Sequence, residues 1–153
     1  MLTNIIDSFV SYIQNNLTGF DTNNCKGYDD ESVIDYVLRT DMSPNPQQAC
    51  IVSYGGASQS KEMSEFGGLV VDWIIIVSAL FPIAGDNDDV QNQKENAYAF
   101  LDTIMAAVIN DSTLGSEVMD CTFLDSEPLM EYNRNGANTF LLLSVRFNIM
   151  ENL

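Results

Sequence analysis

From Asn138 to Met150 the chain alternates: Thr139, Leu141, Leu143, Val145, Phe147 and Ile149 fall on one side, and Phe140, Leu142, Ser144, Arg146, Asn148 and Met150 on the other. Side chains of a strand point to opposite faces in turn, so this period predicts one strand of about 13 residues, where roughly five or six is usual. The first face must line a core. The second is too apolar for free solvent, and in a chain of 153 residues a neighbouring subunit is a natural cover for it. Leu142, Arg146 and Met150 are therefore candidate contact residues.

The remaining patterns supply what that strand packs against. Leu2, Ile5, Ile6, Phe9, Val10, Ile13 and Leu17 recur at helical spacing, and Gly19 ends the helix. Asp30 is placed to cap a short helix with Val33, Ile34, Val37 and Leu38 facing inward, closed by Pro44 and Pro46. Ala49 to Tyr54 reads as a strand. It runs into Gly55-Gly56, a polar stretch and Gly67-Gly68, which predicts a hairpin with a long arm whose ends are the paired glycines. Leu69 to Phe81 is rich in β-branched and aromatic residues, including Trp73 as a core residue, and reads as a strand buried on both faces. A third helix is expected around Ala97, Leu101, Ile104, Met105, Val108 and Ile109, with Asp86, Asp88 and Asp89 just ahead of it, at the positive pole of its dipole. Strands Glu117 to Leu124 and Leu129 to Asn133 follow, and Asn135-Gly136 marks a hairpin into the final strand. The expectation is a single α+β domain over residues 1–153: a mainly antiparallel sheet of four to five strands with helices on one face.

Charge narrows the function. Asp and Glu number 22 against six Lys and Arg, a formal charge of −16. Nucleic-acid affinity comes mainly from cations that displace counterions from phosphates, so tight binding to DNA or RNA is disfavoured, as is an anionic membrane. Carboxylates can still line a path for DNA, because they repel it.

Catalytic chemistry is sparse. The chain has no histidine, which removes the usual general base and the commonest metal ligand. It has no P-loop, G-x-G-x-x-G or G-x-S-x-G motif. A calcium loop starting at Asp86 would need an oxygen ligand at Val90, glycine at Gln91 and glutamate at Ala97, so the acidic run reads as a helix cap. Cys25, Cys50 and Cys121 contain no C-x-x-C pair and read as buried reduced thiols. Asp7 stands where a secretory leader would carry cations, and the expectation is a chain made in a reducing cytoplasm. No catalytic, cofactor-binding or metal-binding residue is expected.

The segment Ser58 to Phe66 carries Lys61, Glu62, Met63, Glu65 and Phe66. It has two readings: a loose excursion with Phe66 folded back on the sheet, or a docking arm that orders against a partner, in which Lys61, Met63 and Phe66 make the contacts.

The order of these features resembles the tail terminator, or tail completion, proteins of long-tailed bacteriophages. The resemblance rests on the strand Val71 to Phe81, the alanine-containing helix Asn96 to Ile109, the turn Asp111-Ser-Thr-Leu-Gly115 and the strand Glu117 to Leu124. Tyr132 before the hairpin at Gly136, the long strand Phe140 to Ile149 and the opening amphipathic helix complete it, over about three-quarters of the chain; the segment from Phe20 to Pro46 lies outside it. It implies a structural virion protein with no cofactor: a ring, usually of six subunits, that caps the tail tube and stops its growth. It also implies contacts with the tube protein and a neck or head connector, a sheath protein where the tail is contractile, and DNA passing through an acidic lumen without binding. Like charges oppose closure of such a ring, so Arg39, Arg134 and Arg146 are expected at subunit contacts. Rival readings are a tail tube or connector-completion protein, an acidic DNA mimic, and, disfavoured by the missing histidine, an enzyme.

Overall fold

The computed structural model describes residues 2–40, 46–59, 70–83, 87–114, 120–132 and 138–152. The opening amphipathic pattern forms α1 (Leu2–Asn16), which buries Ile5, Ile6, Phe9 and Ile13. Gly19 follows at φ 89°, a conformation that only glycine adopts readily, and turns the chain back toward the sheet.

Two short elements, β1 (Cys25–Gly27) and α2 (Val33–Thr40), come next, followed by the longer strand β2 (Ala49–Gln59). Then β3 (Val70–Ile83), α3 (Asn87–Asn110), β4 (Asp120–Ser126), β5 (Met130–Tyr132) and β6 (Thr139–Asn152) complete the described chain. The α+β class and the mainly antiparallel sheet hold. The described strands number six, in the order β1-β2-β3-β6-β4, with β5 also paired to β6. β1 runs parallel to β2, and every other pairing is antiparallel.

The centre of the sheet is the ladder between β3 and β6, which runs unbroken from Val70↔Asn152 to Ile83↔Thr139. The strands flanking it are not regular. β2 carries a bulge between Tyr54 and Gly56, and β4 one between Phe123 and Asp125. They flank one rung, the pair Ile75↔Phe147: the β2 bulge lies between the partners of Ile75 and Ile74, and the β4 bulge between the partners of Phe147 and Arg146.

The odd-numbered face of β6 packs as its alternation requires. Leu141, Leu143, Val145, Phe147 and Ile149 are buried with Ile75, Val77, Ala79 and Phe81 of β3, beneath Phe9 and Ile13 of α1 and Phe100, Ile104 and Val108 of α3. Each fully buried side chain of this size stabilises the fold by roughly 1.5–3 kcal/mol. Ala97, Phe100, Ile104 and Val108 form the buried stripe of α3, with the expected Leu101 packed against the core at its edge, whereas Ile109 is 73% exposed. α3 begins at Asn87, which puts Asp88 and Asp89 inside its first turn rather than ahead of it; Asp86 lies outside the described residues.

Four expectations are corrected. Helices do not share one face: α2 lies on the opposite side, where Tyr36 and Val37 pack with Ala49, Leu80 and Phe140. These positions have the parity of the second face of β6, so α2 covers one end of it. α2 is also turned relative to its sequence pattern, burying Tyr36, Val37 and Thr40 while Ile34 and Leu38 are 43% and 56% exposed. Its cap is Ser32 rather than Asp30: Ser32 Oγ accepts from the Asp35 amide at 3.1 Å, and the Ser32 amide donates to Asp35 Oδ2 at 3.3 Å. Finally, Gly55 and Gly56 lie within β2 at its bulge and are not the base of a loop.

Candidate assembly surface

The second face of the β3–β6 ladder is covered unequally. At one end Phe140 is fully buried under α2, with Leu142 and Tyr132 packed around that cluster. Toward the other end come Ser144, Arg146, Asn148 and Met150 of β6, opposite Ser78, Ile76, Ile74 and Asp72 of β3. Apart from Ser78, which is buried, these are half-buried, and among the described residues no helix packs over Ile74, Ile76 or Met150. β3 is therefore not buried on both faces throughout.

Arg146 sits at the centre of this open end and is held by its own chain. Its Nε donates to Asp125 Oδ1 at 2.7 Å and its Nη2 to Oδ2 at 2.5 Å, a bidentate pair made possible by the bulge that brings Asp125 opposite Arg146. These hydrogen bonds hold the Asp125 carboxyl below the usual carboxylate range and raise the Arg146 guanidinium. Both side chains are substantially exposed. On the same face, Asn148 Nδ2 donates to Asp72 Oδ1 at 3.3 Å. The open end is thus an apolar strip crossed by one neutral ion pair, Arg146 with Asp125, and by the Asn148–Asp72 hydrogen bond, which leaves the Asp72 charge in place.

Arg39 lies in the last turn of α2. It donates from Nε to Glu31 Oε1 at 2.7 Å and from Nη2 to Oε2 at 3.1 Å, and its guanidinium lies 5.1 Å from the Tyr36 ring centre. Glu31 is buried by these contacts. Burial pushes the Tyr36 phenol up to about 12 against the opposing effect of Arg39, and its hydroxyl donates to the Gln47 carbonyl. Both described arginines are therefore engaged by carboxylates of their own chain.

Of the residues expected at contacts, Arg146 and Met150 come together on the open end of the sheet, while Leu142 sits at its junction with the α2 cluster. Arg39 is on α2. Lys61, Met63, Phe66 and Arg134 lie outside the described residues. The sequence reading missed Ile74, Ile76 and Asp125. The first two were legible in principle, because they share a strand face with Asp72 and Ser78, which argues against a core on that side. Trp73 is half-buried at the rim of the helix-side core, edge-on to Tyr54 at 6.1 Å.

A hollow of about 470 Å³ beside α1 is lined by Leu2, Ile6, Tyr28 and Tyr54, with Asp29 as its one carboxylate. Among the described residues no three Cys, Asp or Glu side chains stand close enough to hold a metal ion, and no helix is long and apolar enough to cross a membrane. The α+β architecture and a half-covered sheet define the class; searched against protein-family models and against curated proteins, the chain matches none.

Proposed function

We propose that this chain is a structural assembly subunit of the tail-terminator type: a ring-forming protein that caps a tail tube, halts its growth and offers a surface to a neck or connector protein. The observation that carries the reading is the open end of the second sheet face. Ile74, Ile76 and Met150 leave an apolar strip on that face, and exposed apolar patches on small domains mark contacts with another subunit.

Charge supports the same reading. A −16 chain repeated in a ring would repel DNA in its bore, although screening at about 8 Å in physiological salt confines that effect to carboxylates lining the hole. The pairing of Arg39 and Arg146 with Glu31 and Asp125 alters the expected role of these cations. They reach a contact already neutralised, lowering the local repulsion rather than reaching across to a partner's carboxylate.

Negative-stain microscopy and sedimentation of the purified protein test the proposal. A single closed ring with a central hole is the expected result. Long tubes would assign the chain to the tube itself, and a uniform monomer at high concentration would overturn the assembly reading.

A further inference from the structure

The three cysteines are all buried, yet two of them are neighbours. Cys25 of β1 is the ladder partner of Cys50 of β2. Both are fully buried in the helix-side core, where the Cys25 thiol donates to the Val10 carbonyl at 3.9 Å. Adjacent strands lie about 4.8 Å apart, inside the roughly 4.4–6.8 Å Cα separation that a disulfide spans. Cys121, on β4 at the far side of the sheet, has no such neighbour in the ladder: it is paired with Ile149.

We propose that Cys25 and Cys50 form a latent cross-linking site, reduced while the protein is made and converted to an intrachain disulfide by a two-electron oxidant of the hydroperoxide class. One thiol attacks the peroxide oxygen, giving a sulfenic acid and releasing the alcohol, or water from hydrogen peroxide. The second thiol then attacks that sulfur and expels water. Two thiols and one hydroperoxide thus give one disulfide, one water and the reduced peroxide.

Access comes through β1. It is a three-residue edge strand with a single strand partner, held by the Cys50 amide to Asn24 O at 2.8 Å, the Tyr28 amide to Val52 O at 2.8 Å and Gln14 Nε2 to Cys25 O at 2.9 Å. Short edge elements of this kind open locally without global unfolding. Burial raises the Cys50 thiol well above its ordinary range, so the reaction is slow in the closed state. Once formed, the bond closes a loop that contains the whole of α2, the helix covering one end of the second sheet face. The cross-link would pin both β1 and that cover.

The site does not depend on the assembly reading, because its readout is internal to one chain. Reduced, purified protein treated with hydrogen peroxide at neutral pH is expected to lose two hydrogens by intact mass, with a tryptic map joining the Cys25 and Cys50 peptides. Cys121 should remain alkylatable. The thermal midpoint should rise by roughly 5 °C and return on adding dithiothreitol. C121S should behave like the parent, whereas C25S and C50S should show neither the mass loss nor the rise. Two outcomes in the parent protein alone would overturn the proposal: Cys25 and Cys50 remaining separately alkylatable in peroxide, or Cys121 oxidising as fast as they do.

Discussion

Gly55 and Gly56 sit side by side in β2 for different physical reasons. A Cβ on Gly55 would stand 2.9 Å from Cγ1 and Cδ1 of Ile76 and 3.1 Å from Cγ2 of Ile74, whereas Gly56 has open space but a φ of 129°. G55A should destabilise by roughly 1–3 kcal/mol through overpacking. G56A should cost a similar ~1–3 kcal/mol through backbone strain alone. Urea unfolding midpoints measure both, and adding I76A, which removes Cγ1 and Cδ1, should relieve only the first. Two adjacent glycines look like a loop in sequence because their usual use is at turns; that the strand passes through them depends on β3 lying alongside. Asp125 makes a second prediction at this scale. Its carboxyl is lowered by the hydrogen bonds from Arg146, so its contribution is complete above the ordinary carboxylate range and is lost as pH falls through the lowered native value. The stability gap between the parent and D125N should therefore narrow toward zero in acid, followed by thermal melts across pH 2–6. The charge-swapped D125R/R146D variant should recover more of the lost stability than either single change if the pair acts within the chain.

α2 shows how much an element can owe to its neighbours. Eight residues are too few for a stable isolated helix, so its reciprocal cap and its packing must hold it. S32A is expected to cost about 1 kcal/mol. F140A removes the floor under Tyr36 and Val37 and should cost roughly 3–5 kcal/mol, with hydrogen exchange rising first across residues 33–40. The sequence placed this helix but not its face. Val33, Ile34, Val37 and Leu38 look like the inward set, yet Tyr36 brings more area and Arg39 seals its ring, while Thr40 can be buried because its hydroxyl bonds the Tyr36 carbonyl at 2.8 Å. The opposite case is β6, where period-two alternation over its length left no other assignment. β1 could not have been read at all: Cys25-Lys26-Gly27 carries no apolar run and becomes a strand only by pairing with β2.

At the scale of the whole molecule, one chain's sequence identified a face needing cover but not what covers each part of it, because α2 docks from a segment with no pattern linking it to β6. The open end offers a direct test. I76D should keep the fold, since the Ile76 side chain is only half-buried, and abolish assembly into the proposed ring. Because −16 on each subunit opposes association, the parent should assemble more readily as salt rises from 0.05 to 0.5 M, while I76D should sediment as a monomer throughout. The two bulges, set at one level on either side of the continuous β3–β6 ladder, carry a geometric consequence. Bulges bend strands and sharpen twist, so the floor beneath α2 and the strip around Ile74 and Met150, on opposite sides of that level, should stand at different angles. A partner that spans both would then have to be hooked or come as two bodies.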